Sequence, residues 1–145
     1  MMISTKGRYA LRILLDIAES AQEKEYVSLG DVAMRQEISM KYLEAIVASL
    51  SRGELVESKR GKAGGYRLAR PAEEITVADV VRAAEGSISP VACPECDGVS
   101  CSRAGKCLTV DLWKHLDGMI ERYLSAVTLG DLLTGKNLES LFREN

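Results

Sequence analysis

Apolar residues recur along this chain with two different periods, and the switches between them mark its organisation. Ala10, Ile13, Leu14, Ile17 and Ala18 fall three and four residues apart, which predicts an amphipathic helix over about 6–20. "SLGD" at 28–31 reads Ser-x-x-Asp, a capping-box variant, and predicts a short helix with Leu29, Val32 and Ala33 turned inward. Ser39 gives a second start signal. Leu43, Ile46, Val47 and Leu50 then form one apolar stripe that Gly53 is expected to stop. Two short helices joined by a tight turn predict a helix-turn-helix.

Past Gly53 the period shortens. "ELVESKR" and "GYRLAR" flank "GKAGG", so 54–70 reads as a β-hairpin with a glycine-rich tip, a wing on the helix-turn-helix, closed by Pro71. Thr76 and Asp79 form another capping-box variant, opening a helix with Val77, Val80, Val81 and Ala84 on one face and ending at "EGSISP". Thr109 is expected to cap a longer helix over 109–127, about 28 Å in length. Its Leu112, Trp113, Leu116, Met119, Ile120, Tyr123, Leu124 and Val127 cover more than one face. One face can serve its own domain, and the surplus predicts a partner helix, for which two-fold pairing is the commonest solution. A wholly internal core helix is the alternative. A short helix from Thr128 and a polar, fraying tail over 135–145 complete the chain.

The expected fold class is mainly α: a winged helix-turn-helix with a long C-terminal dimerisation helix. Residues 1–86 are expected to form the winged helix-turn-helix domain, 87–108 a cysteine-rich loop, 109–134 the dimerisation and short terminal helices, and 135–145 the tail.

Composition adds little to this and excludes more. A chain of 145 residues, 46% hydrophobic and 28% charged, is long enough for one domain with a real core. No apolar run approaches a membrane span. "MMISTKGRYALRILLDIAES" has basic residues within its apolar stretch and an acid at Asp16, so it reads as an amphipathic helix and not a signal peptide. The expected address is the cytoplasm, where thiols stay reduced.

Charge sharpens the picture. The net charge is −2, yet residues 1–71 carry 12 Lys/Arg against 9 Asp/Glu, whereas residues 72–145 carry 7 against 12. "KRGKAGGYRLAR" at 59–70 has five basic residues and no acid. A local basic patch suits a polyanion partner, since the contact face and not the total governs binding. A solvated surface loop is the plainer reading of such a cluster taken alone.

All four cysteines sit within "CPECDGVSCSRAGKC": Cys93, Cys96, Cys101 and Cys107, spaced C-x2-C-x4-C-x5-C. Thiolates at such spacing suit a tetrahedral zinc site, an iron–sulfur cluster or a redox thiol switch, and spacing alone leaves zinc and iron–sulfur open. Enzyme signatures are missing: "GKAGG" is no phosphate-binding P-loop, and the one histidine, His115, reads as a partly exposed helix residue. No enzymatic activity is expected.

Six segments in this order, "STKGRYAL", "ISMKYLEAIVASL", "LVESKRGKAGGYRL", "ITVADVVRAAEG", "CLTVDLW" and "TLGDLL", resemble the bacterial winged-helix regulators that include IscR, NsrR and CymR, over about 1–134. The resemblance implies a dimeric DNA-binding transcription regulator, most simply a repressor, acting on a dyad-symmetric operator. "EGSISPV" is similar to the cysteine-metabolism branch, and "C-x5-C-L-T-x-x-L-W" to the iron–sulfur-sensing branch. On the family's cluster, Cys101 and Cys107 match the second and third cysteines, and Cys93 or Cys96 the first. The chain departs from relatives that add a His or an Asp, having Val110 and Arg8 at those places. The spare cysteine then becomes the fourth ligand, which implies an all-thiolate iron–sulfur cluster, 2Fe–2S or 4Fe–4S, over zinc. The implied DNA contacts are Lys6, Ser39, Met40, Lys41, Tyr42 and Glu44 on the helices, and Lys59, Arg60, Lys62, Gly64, Gly65 and Tyr66 on the wing. A same-fold regulator of sulfur metabolism with a zinc or thiol-switch loop, and a small iron–sulfur redox protein, are the rival readings.

Overall fold

The computed structural model describes residues 3–93 and 100–143. Along them run α1 (Thr5–Ser20), α2 (Leu29–Gln36), α3 (Met40–Arg52), the hairpin β1 (Val56–Lys59) and β2 (Gly65–Leu68), α4 (Val77–Glu85), α5 (Val110–Ala126) and α6 (Leu129–Leu133). No helix among the described residues is long and apolar enough to cross a membrane.

Side-chain caps start most of these helices. Ser28 accepts from the Asp31 N–H and Ser39 from the Tyr42 N–H, satisfying amides that have no partner inside the helix. Thr76 with Asp79 and Thr128 with Asp131 make complete capping boxes. Thr109 departs from expectation. It precedes α5 but its side chain caps nothing: its backbone lies at φ −107°, ψ −6°, not in the extended form of the residues that do cap, and its hydroxyl lies 3.3 Å from the Cys107 sulfur.

The apolar stripes meet as expected. Ile13, Leu14 and Ile17 of α1 pack with Leu43, Ile46 and Leu50 of α3, with Val80 of α4, and with Ile75 and Leu129. Gly53 ends α3, though the left-handed residue is Glu54, at φ 58°. What requires glycine at 53 is proximity: a Cβ there would meet that of Ala83, on α4, at 2.8 Å.

Two long-range polar clusters lock α1. Asp16 is buried and accepts from Arg35 Nη2 at 2.6 Å and Gln36 Nε2 at 2.8 Å, tying α1 to α2. At the other end, Glu85 Oε1 accepts from the Ser4 N–H at 2.9 Å, the Ser4 hydroxyl at 2.5 Å and the Gly7 N–H at 3.1 Å. The C-terminal end of α4 thus caps the start of α1 with a carboxylate, the charge that a helix N-terminus favours.

The hairpin is antiparallel, with Val56 opposite Leu68 and Lys59 opposite Gly65. Val27, just ahead of α2, exchanges both backbone hydrogen bonds with Tyr66 at 2.8 Å. Gly65 stands at φ +145°, and a Cβ there would run into the Val27 carbonyl, so only glycine lets the two backbones meet.

Within this chain α5 buries none of its residues. Leu124 packs with Val77, Ala78 and Val81 of α4, while Leu112, Met119 and Tyr123 remain exposed. The tail expected to be polar and frayed differs. Leu138 and Leu141 join the same small cluster through a 3-10 turn, and Phe142 stacks on Tyr123 with ring centres 4.6 Å apart.

Candidate nucleic-acid interface

Once α3 has buried Leu43, Ile46, Val47 and Leu50, its opposite face presents Met40, Lys41, Glu44, Ala45 and Ala48 to solvent, with Ser39 exposed at its start. The Glu44 carboxylate has no hydrogen-bond or ion-pair partner among the described residues, so the pairing with Lys41 that would explain it as a surface acid is missing. Tyr42 is half-buried and meets Tyr9 edge-on at 5.9 Å. Arg12 lies over the Tyr9 ring at 4.8 Å and donates to Gln36 Oε1 and to the Gln36 carbonyl. The turn between α2 and α3 is therefore braced from α1, a brace that no local pattern announced.

The wing's five cations separate into two kinds. Arg67 pairs with Glu25 at 2.7 Å and Glu57 at 3.0 Å, and Arg70 pairs with Asp79 at 3.0 Å. Neither is available to a partner without giving up an internal acid. Arg60 and Lys62, at the tip, are exposed and have no acid partner among the described residues. Lys59 lies over the Tyr26 ring at 5.4 Å, which leaves its charge uncompensated. Gly64 and Gly65 serve the hairpin itself: a Cβ at Gly64 would strike the Lys59 carbonyl. Tyr66 supplies the backbone pair to Val27. Lys6 stands in the first turn of α1, its N–H held by the Ser4 hydroxyl at 3.2 Å.

The cysteine region joins α4 to α5. Cys93 and Cys101 are half-buried, Cys107 is exposed, and Cys96 lies outside the described residues. The Thr109 hydroxyl, then the backbone N–H groups of Thr109 and Val110, hold the Cys107 thiol below its usual range, with Arg103 adding to them. Among the described residues no three His, Cys, Asp or Glu side chains converge as a metal-holding group. By donor chemistry the thiols suit iron–sulfur or zinc ligation, and Cys107 is disposed towards the thiolate form that such ligation uses.

Residues 3–135 match the sequence profile of Rrf2, described as an iron-dependent transcriptional regulator. The chain is 38% identical over 141 residues to the HTH-type transcriptional regulator IscR of Aliivibrio salmonicida, covering 97% of this chain and 82% of that one. Its fold is similar to that of CymR, the global cysteine regulator of B. subtilis, at a TM-score of 0.74 and 35% identity, over 94% of this chain and 99% of that one. T. potens IscR gives the same TM-score at 32% identity, over 100% and 94%.

Proposed function

The chain belongs to the Rrf2 family of transcriptional regulators, and on that premise we propose that it is a homodimeric repressor whose operator affinity is set by an iron–sulfur cluster in its cysteine loop. The observation that supports DNA as its partner is the division of the wing's charges, with Arg67 and Arg70 neutralised internally while Lys59, Arg60 and Lys62 are left to a polyanion.

In this reading residues 1–86 dock on DNA in the cytoplasm. α3 enters the major groove, Met40, Lys41 and Glu44 face base edges, and Ser39, Tyr42 and Lys6 lie towards the backbone. Glu44 accepts a hydrogen bond from cytosine N4, the gain that offsets an acid near phosphates. The wing follows the adjacent backbone, with Arg60 able to reach the minor groove and Gly64, Gly65 and Tyr66 holding its shape.

Residues 109–134 pair with a second copy. Leu112, Leu116, Met119 and Tyr123 lie four, three and four residues apart, the spacing of a two-helix seam. Residues 87–108 form the sensor, with Cys101 and Cys107 as obligatory ligands and Cys93 and Cys96 completing an all-thiolate set. When bound, the cluster supplies a link among these thiols that oxidation or iron loss can reverse. Because Cys107 lies three residues before the start of α5, a change in the loop bears on the paired helices. Affinity responds only as far as the two dimer geometries bind DNA unequally.

Anaerobic purification tests the cofactor. The expected protein is brown, with visible absorption and matched iron and sulfide. Cys101→Ala or Cys107→Ala should remove the colour, and Cys93→Ala or Cys96→Ala should be partly tolerated. A colourless protein loaded with zinc, or full iron and sulfide in Cys101→Ala, would overturn the ligand assignment. Footprinting on upstream DNA tests the rest, a protected dyad being the expected result.

A further inference from the structure

We infer that a chain of ion pairs running from the wing to α5 fixes the angle of the long helix and so sets the half-site spacing the dimer accepts. It rests on the dimeric reading above and adds specificity-setting residues to it. Arg70, just past β2, donates from Nη2 to Asp79 Oδ2 on α4 at 3.0 Å. The other Asp79 oxygen lies 3.9 Å from Arg82 Nη1. Arg82 Nη2 in turn donates to both carboxylate oxygens of Glu121 on α5, at 2.7 and 2.9 Å. The Ser125 hydroxyl donates to the same carboxylate at 3.1 Å. Charges therefore alternate from wing base to long helix without a break.

Arg82 and Glu121 are each nearly half exposed, so their pair adds little to folding stability. What it adds is direction. None of α5 is buried in this chain, and its apolar anchor lies near one end, where Leu124 meets Val77, Ala78 and Val81. Phe142, stacked on Tyr123, adds to the hold at that same end, so the bearing of the helix depends on where else it is fastened. Glu121, one turn from Leu124, ties the helix to α4 through Arg82 and so helps to hold its bearing. From the Leu124 anchor back to Val110 the helix runs about 21 Å, so a swing of about 10° moves the far end by about 3.7 Å. That is close to the rise of one DNA base pair, about 3.4 Å, and two-fold symmetry imposes the same change on both subunits. Arg82 and Glu121 are thus positioning residues: they touch no base, yet decide which separation of half-sites both wings can reach.

The test uses the full chain and duplexes that the wild-type protein selects from a random-sequence pool. The selected site is rebuilt with its spacer one and two base pairs shorter and longer, and as a lone half-site. Wild type should show a sharp spacer optimum. Glu121→Gln and Arg82→Gln should flatten it by up to about fivefold, the equilibrium worth of an exposed ion pair. Lone-half-site binding, which also reports a folded winged domain, should stay unchanged. The double variant should be no flatter than either single one, because both remove one interaction. An optimum as sharp in Glu121→Gln as in wild type overturns the inference and leaves the dimeric reading standing. Loss of lone-half-site binding overturns it too, by assigning the pair to the winged domain itself. A wild type that selects no paired half-sites overturns both.

Discussion

Along the 13 residues of α3, Leu43, Ile46, Val47, Ser49 and Leu50 are buried; along the 17 of α5, none is. Both helices carry regular apolar spacing, so hydrophobicity does not distinguish them. What differs is whether the chain supplies the opposing surface. α3 lies against α1, α2 and α4, whereas α5 touches α4 near one end and keeps Leu112, Met119 and Tyr123 in solvent. The winged half is complete in one polypeptide. The long helix keeps an apolar face that the described residues do not cover.

Truncation on the buried side should have the largest effect. Leu50 is wholly buried, and Leu50→Ala should cost about 2–5 kcal/mol of unfolding free energy, read from denaturant titration. Leu112 is 56% exposed, so Leu112→Ala should leave the unfolding of dilute monomer unaltered while weakening self-association in sedimentation. Equal losses of stability from the two would erase the distinction between the helices.

A smaller effect is expected on the exposed face of α3. Glu44→Ala should bind generic DNA as well or better, yet lose about 1–3 kcal/mol of discrimination for cytosine at one position per half-site in competition binding. Unchanged base preference throughout the site would demote Glu44 to a surface residue.

Acid should act on the winged half through Asp79. Burial pushes its carboxyl up, but the Thr76 N–H and hydroxyl and the Arg70 charge outweigh that and hold it below the ordinary carboxylate range. A pKa lower in the folded than in the unfolded state means that its stabilisation is complete above the unfolded value. It is then lost as pH falls through the folded one. Asp79→Asn should therefore flatten the acid limb of the stability curve below about pH 4, and an unchanged limb would show that other carboxylates set it. The smallest change belongs to the wing tip, where Lys62→Ala should lower the salt slope of DNA binding by about 0.9 per half-site and weaken all sequences alike.

Much of the fold was legible because its signals are local. Ser28, Ser39 and Thr76 each bond an amide three residues away, and the stripes of α1, α3 and α4 keep helical spacing. Thr109 shows the limit of that rule: its backbone is helical where a capping residue is extended, so the hydroxyl that spacing assigned to a cap bonds no amide of the helix. The contacts that lock the elements together lay beyond such reading. Asp16 and Arg35 are 19 residues apart, Arg82 and Glu121 are 39, and no period links them. At the candidate interface the basic cluster was plain in the sequence. Only geometry separated Arg67 and Arg70, already paired, from Arg60 and Lys62. The cysteine spacing was equally plain, but convergence of thiols depends on backbone paths that spacing does not encode.

The carboxylate that caps α1 has a further consequence, in time. Glu85 lies 81 residues after Ser4, so a nascent chain has synthesised its first helix long before the group that completes it exists. At about 5–20 residues per second the wait is about 4–16 s. An isolated helix of 16 residues is marginal in water, and Leu43, Ile46 and Leu50 of α3, which pack on Ile13, Leu14 and Ile17, follow it well before Glu85 does. The apolar face of α1 can thus be covered by α3 several seconds before Glu85 completes the start of the same helix.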